Sequence, residues 1–204
     1  HGRAVCERGG IKLTLLRLAE QYRKWYSSAM TYYDDLYEHA VDNYYLVTTD
    51  DANNLGIPPV ELAKLAKRGR LQNLGRGLYR LTRYVPSEFD PYAIAVARVG
   101  GSAYLYGESV LALLKLAPTN PDRIFVATSV RTRKRLPEGI QVVSRKEPAC
   151  ITSYEGIPCQ RVKDAILSCQ DTIMSERLNE ATHRARAEGF LTKAEFDELE
   201  EALV

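Results

Sequence analysis

No stretch of the 204-residue chain stays apolar for the ~18 residues a membrane-spanning helix needs, and no secretory leader pattern stands at its start. A cytoplasmic protein is therefore expected. Histidine is scarce, three in all, and the four cysteines (Cys6, Cys150, Cys159 and Cys169) include no C-x-x-C pair. That spacing argues against a zinc site and for reduced thiols. Neither a metal nor a cofactor is expected. The phosphate-cradling G-x-x-x-x-G-K-S/T pattern and the G-x-S-x-G nucleophile turn are both missing. "YGES" at Tyr106–Ser109 lacks a histidine partner, so Ser109 reads as a helix-packing residue. His39 and His183 fall on helical stretches as surface or packing residues. A metal-dependent nuclease of the type that uses an Asp followed by Glu-x-Lys finds no Glu-x-Lys here. The chain is expected not to be an enzyme. A net charge of +2 is too close to balance to name a partner, so what counts is where the basic residues sit.

What is present is a chain with 45 % hydrophobic residues, enough to build one large domain or two small ones. Ile11, Leu15, Leu18, Tyr22 and Tyr26 have helical spacing, but residues 1–29 are set apart as an extension with no assigned role. From Tyr32, "YYDDLYEHAVDN" places Tyr33, Leu36, Tyr37, Ala40 and Val41 on one helical face. "YYLVTT" reads as a short extended piece. Thr49 is the expected N-cap of the next helix, with Asp50 and Asp51 suiting its N-terminus. Gly56 turns the chain, and Pro58 and Pro59 fit only the first turn of a further helix, "VELAKLAKRG", which Gly69 ends. Two short strands follow, Leu71–Leu74 and Leu78–Leu81, around Gly75-Arg76-Gly77. Two helices joined by a glycine turn, then a ribbon, is the order of a winged helix-turn-helix. Leu74, Leu78, Tyr79 and Leu81 are candidates for packing against the helices.

"RYVPSEFDP" (83–91) reads as a linker with Pro86 and Pro91 as breakers. Beyond it lie a helix in "YAIAVARVG", another in "YGESVLALLKLA", and strands in "RIFVATS" and "IQVVSR". A strand-turn-strand in "CITSYEGIPCQRV" and three helices near 161–170, 174–188 and 192–203 complete the chain. Thr192 and Glu195 have the spacing of a capping box. The expected fold class is α+β, a winged helix-turn-helix (30–85) followed by a mixed α+β domain (86–204).

In a helix-turn-helix the second helix enters the major groove, and its N-terminal residues meet base edges. Val60, Glu61 and Lys64 are the candidates there, since Lys can donate to guanine and Glu can accept from cytosine. Lys67 and Arg68, at the other end, can contact phosphate or simply complement the helix dipole. Thr49, at the start of the preceding helix, is counted with them. On the ribbon the candidates are Arg70, Gln72, Asn73, Arg76 and Arg80. Flanking glycines push Arg76 outward, where it can follow a phosphate or enter a narrow minor groove. The competing reading is a solvated basic face and an ordinary hairpin. Arg131, Arg133, Lys134 and Arg135 form a second basic run, either a solvated loop or a further DNA or partner contact.

"VTTDDANNLGIPPVELAKLAKRGRLQNLGRGLYRL" resembles the N-terminal winged helix of the AbiEi family of antitoxins, regulators in AbiE-type (type IV) toxin–antitoxin systems. The resemblance is carried by Thr49, Ala52, Leu55, Gly56, Ile57, Leu65, Gly69, Leu71, Gly77, Tyr79, Arg80 and Leu81. "AYLYGESVLALLKLAPTNPDRIFVATS" and "YEGIPCQRVKDAILSC" resemble parts of the family's C-terminal domain. That region departs from the family pattern at Cys159, where valine is usual, and at Lys163-Asp164-Ala165-Ile166, where an R-T-L block is usual. The resemblance spans Tyr32 to Val204. It implies a phage-defence protein that binds inverted repeats in its own promoter, represses the operon, and counteracts a nucleotidyltransferase toxin. A stable toxin complex is left open. So is the choice between a monomer and a weak dimer cooperating on double-stranded DNA. Two rivals remain: an interaction module that neutralises a toxin directly, and a winged-helix regulator with no toxin partner.

Overall fold

The computed structural model describes residues 32–117, 122–130, 136–145 and 150–203. The chain divides into two units between Tyr84 and Val85. The helical reading of residues 11–28 and the basic run Arg131–Arg135 lie outside the described residues.

In the first unit, helix α1 (32–40) turns Leu36 and Ala40 inward, both fully buried. The extended piece expected over "YYLVTT" is shorter than its composition suggests. Tyr44 and Tyr45 take left-handed backbone (φ 53° and 57°), and strand β1 covers only Leu46–Thr48. The left-handed step reverses the chain after α1. The Tyr45 amide donates to Ala40 O at 2.8 Å, and the Tyr45 ring lies 6.3 Å from Tyr37. Helix α2 (Thr49–Asn54) follows β1 directly. Its N-cap is Thr48, not Thr49 as the sequence suggested. Thr48 Oγ1 accepts from the Asp51 amide, and the Asp51 carboxylate accepts from the Thr48 amide at 2.7 Å. This reciprocal box needs an acid three residues after the cap, a condition Thr48 meets and Thr49 does not.

Helix α2 ends at Leu55. Gly56 (φ 70°) then lets Ile57 reach back to Ala52 O, with a second bond from Gly56 to Asn53 O. This Schellman closure buries Ile57 against the helix it terminates. Helix α3 (Pro59–Lys67) starts on the two prolines and ends in the same way at Gly69. Its inward residues are Leu62 and Leu65, one turn apart. Strands β2 (Leu71–Gly75) and β3 (Leu78–Leu81) pair antiparallel, and β1 pairs with the far side of β3. The expected two-stranded ribbon is thus part of a three-stranded sheet of order β1-β3-β2. A winged helix is the result. Its core joins Leu36, Val47, Ile57, Leu62, Leu71 and Leu81. Leu78 is buried as expected, whereas Leu74 and Tyr79 are half-buried.

The second unit opens with helix α4 (Asp90–Val99). Pro91 lies in its first turn and so starts the helix rather than breaking the chain before it. A two-residue strand, β4 (Tyr104–Leu105), was not foreseen. Helix α5 (Glu108–Leu113) is shorter than the stretch expected from Tyr106 onward. It stops because Lys115 turns left-handed (φ 55°) and the Leu116 amide bonds back to Leu111 O, burying the Leu116 side chain completely. The strands β5 (Ile124–Thr128), β6 (Ile140–Ser144), β7 (Ile151–Tyr154) and β8 (Ile157–Gln160) follow. With β4 they form a mixed sheet of order β6-β5-β4-β8-β7. Helix α4 packs on β5 and β8, and α5 packs on β5. Helices α6 (Val162–Leu167), α7 (Ser175–Ala187) and α8 (Lys193–Ala202) pack on one another. Thr192 and Glu195 form the capping box that their spacing suggested. Fold class is therefore α+β in both units.

Buried polar groups in this unit are held by bonds. Ser109 Oγ accepts from the Phe125 amide at 2.7 Å, which fixes α5 on β5 and assigns the serine to structure. Gln160 accepts from the Gly107 amide and donates to Ser168 Oγ, joining β8 to the starts of α5 and to the end of α6. Burial pushes the thiols of Cys159 and Cys169 up to about 12, while Cys150 is exposed. A thiolate is the reactive form, so neither buried cysteine should be alkylated at neutral pH. The expected result of native labelling with iodoacetamide and peptide mapping is modification of Cys150, with Cys159 and Cys169 reacting only in denaturant. Modification of Cys159 in the native protein would contradict the packing of β8.

Candidate nucleic-acid interface

Charge divides residues 32–84 along the sequence. Asp34, Asp35, Glu38, Asp42, Asp50 and Asp51 fall in the α1–α2 half, which contains no lysine or arginine. From Pro59 to Tyr84 the only acid is Glu61, set among Lys64, Lys67, Arg68, Arg70, Arg76, Arg80 and Arg83. Helix α3 and the ribbon are therefore the basic part of residues 32–84. Such an arrangement orients a small domain toward a polyanion.

Helix α3 holds its candidates on the face opposite Leu62 and Leu65. Val60 and Lys67 are exposed. Glu61 is not: its side chain retains 13 % of its accessible surface and takes Lys64 Nζ at 2.7 Å. The sequence placed Glu61 with the exposed base readers, and the structure corrects that placement. An acid one residue after Val60 sits to the side of the exposed stripe and turns toward the lysine three residues on. Lys64, at 42 % exposure, lies along the helix toward Glu61. Arg68 is the C-cap residue of α3, at the end where a cation also complements the helix dipole.

The ribbon closes in a two-residue turn, Arg76-Gly77, with both residues at positive φ (42° and 79°). That is the hairpin geometry whose twist matches the flanking strands. Before it, a bulge breaks the register between Asn73 and Gly75, and Asn73 Oδ1 accepts from the Gly75 amide at 2.7 Å. Asn73 therefore shapes the turn. Arg76 is exposed at its tip. The turn is anchored from below by Thr49, whose amide and hydroxyl both donate to Gly77 O, at 2.8 and 3.1 Å. Thr49, expected as a cap and a candidate contact, is the residue that holds the wing on α2.

The remaining ribbon candidates are already engaged. Arg80 donates to Gln72 Oε1 at 3.2 Å across the strands, and its guanidinium lies 3.8 Å over the Tyr84 ring. Arg70 is exposed and lies 5.4 Å from the Tyr33 ring. Sequence reasoning missed Tyr33 and Tyr84 as platforms for these arginines. Gln72 and Arg80 face each other across the strands, and no local signal pointed to either tyrosine. His39 Nε2 stands 3.5 Å from Asp51 on the acidic side, and His183 packs edge-on against Phe196. No cluster of three metal-ligating side chains exists among the described residues. None of the described helices is long and apolar enough to cross a membrane.

Residues 34–82 match the family model described as transcriptional regulator, AbiEi antitoxin. The segment runs from α1 to the end of β3, the whole of the winged helix. No curated protein matches the chain. Among solved structures, the RV2827C protein from Mycobacterium tuberculosis is similar at 18 % identity, over 83 % of this chain and 80 % of that one, with a TM-score of 0.36.

Proposed function

We propose that this chain, whose residues 34–82 match a regulator domain of the AbiEi antitoxin type, binds double-stranded DNA and represses its own operon as the antitoxin of a toxin–antitoxin pair. The observation that carries the reading is the coincidence of the matched segment with a winged helix whose lysines and arginines all follow Pro59, on or beside α3 and the ribbon. Helix α3 enters the major groove, and Arg76 at the wing tip neutralises a phosphate. The targets are inverted repeats in the promoter, filled by a monomer or weak dimer acting cooperatively. The unit from Val85 onward carries the antitoxin role, directed at a nucleotidyltransferase toxin in the cytoplasm. Nothing in this reading calls for a catalytic step. Arg131, Arg133, Lys134 and Arg135 supply a further contact to DNA or to a partner.

Arg76→Ala is the direct test. Each neutralised phosphate contributes about −0.9 to the slope of log affinity against log salt. The variant is expected to bind promoter and unrelated DNA more weakly to the same degree, with a slope shallower by roughly that amount. Titrations at several salt concentrations measure it, and an unchanged slope removes Arg76 from the interface. The same variant separates the two roles. It is expected to lose repression of a promoter reporter yet still rescue cells from the toxin.

A further inference from the structure

The exposed face of α3 is apolar where a groove helix does its reading. Val60 retains 57 % of its accessible surface, whereas Val47 on β1 is fully buried. Ala63, one turn later, is also exposed. Pro58 and Pro59 precede them and have no amide hydrogen to donate. Lys64 leans on Glu61, and Glu61 is largely covered. The first half of the presented face thus has two exposed apolar side chains, and the ammonium of Lys64 beside them is paired with Glu61. Its second half has Lys67, then Arg68 and Arg70 beyond the helix end.

An exposed apolar helix start followed by cations fits one occupant, the major groove of duplex DNA. Phosphates bound the groove on both sides, and its floor offers a single apolar feature, the C5-methyl group of thymine. Val60 is β-branched and has one strongly preferred rotamer in a helix, so its methyls stand in a fixed position. Ala63 leaves room for the helix to sit close.

Resting on the DNA-binding reading above, we propose that Val60 and Ala63 read thymine methyl groups. The bound half-site is then selected by thymines under the first half of α3, and not by hydrogen bonds from Lys64 and Glu61. The lysines and arginines that follow hold the helix on the backbone.

Deoxyuridine pairs as thymidine does and lacks only the methyl group. The test uses the full chain and the duplex it protects upstream of its own coding sequence, with each thymine replaced in turn by deoxyuridine. One or two replacements per half-site are expected to weaken binding about fourfold, the effect of one methylene-sized apolar contact. The remaining replacements should have no effect. Val60→Ser, at an exposed site that does not support the core, should bind the parent duplex more weakly and no longer distinguish the two bases at one of those positions. Lys64→Ala should retain the deoxyuridine profile. Binding that is intact but indifferent to every replacement overturns methyl reading and leaves the DNA-binding function standing. A profile abolished by Lys64→Ala but not by Val60→Ser overturns it too. Absence of any protected duplex overturns the DNA-binding reading itself.

Discussion

Leu62→Ala is expected to destabilise the N-terminal unit by about 2–5 kcal/mol, the range for truncating a buried leucine whose cavity cannot collapse. Leu62 is fully buried at the centre of α3 and belongs to the cluster that joins α1, β1 and the ribbon. A unit this small has little stability to lose, since small domains bury a smaller share of their surface than larger ones. The cooperative urea transition of this unit should move to much lower denaturant, followed by far-UV circular dichroism. DNA affinity should fall with the folded fraction. Ala63→Ser, next in sequence but on the outward face, should leave the transition where it is. A loss under 1 kcal/mol for Leu62→Ala would mean that α3 does not pack as described.

The second large effect is expected at the wing. A β-carbon on Gly77 would meet Thr49 Oγ1 at 2.5 Å, well inside contact distance, at a backbone φ of +79°. Left-handed backbone alone costs a non-glycine residue roughly 1–2 kcal/mol. Gly77→Ala must also displace the Thr49 hydroxyl from Gly77 O, and the total should reach about 2–3 kcal/mol once that bond is lost. Thr49→Ala removes the obstructing oxygen and leaves only the conformational part. The cost of Gly77→Ala is therefore expected to shrink when it is introduced into Thr49→Ala, a positive coupling readable in a double-mutant cycle. Additive costs would show that the wing is not seated on Thr49.

Local chemistry made much of this architecture legible. Prolines at 58 and 59 and glycines at 56 and 69 fix where α3 begins and ends, because only a few backbone positions tolerate them. The short apolar pieces on either side of Gly75-Arg76-Gly77 marked both strands of the ribbon. Thr48 and Thr49 were distinguishable too, by the acid three residues after Thr48, and the assignment to Thr49 overlooked it. Other features were not local. Strand β4 has two residues and exists because β5 and β8 flank it, which an apolar run leading into a helix does not reveal. Arg80 looked like an outward cation on a strand, and its Tyr84 platform appears only once the chain has folded past the ribbon. Glu61 was misplaced for a different reason. A charged residue beside a proline-led helix start looks solvated, but the helix turns it off the exposed stripe and toward Lys64.

The sheet order carries a consequence for how the chain comes to be folded. In the first unit the wing closes when Thr49 meets Gly77, 28 positions apart. In the second, β4 gains its parallel neighbour only when β8 arrives, and the Gln160–Gly107 bond that seals this junction spans 53 positions. Doubling a loop adds only about 0.6 kcal/mol of closure entropy. The greater delay comes from topology, because a parallel pairing cannot start from a hairpin and must wait for the intervening β5, β6 and β7. On a ribosome, where the N-terminal unit emerges first, the winged helix is complete while β8 is still being synthesised. Refolding should accordingly show a fast phase from the first unit and a slower one that tracks protection of the Gly107 amide.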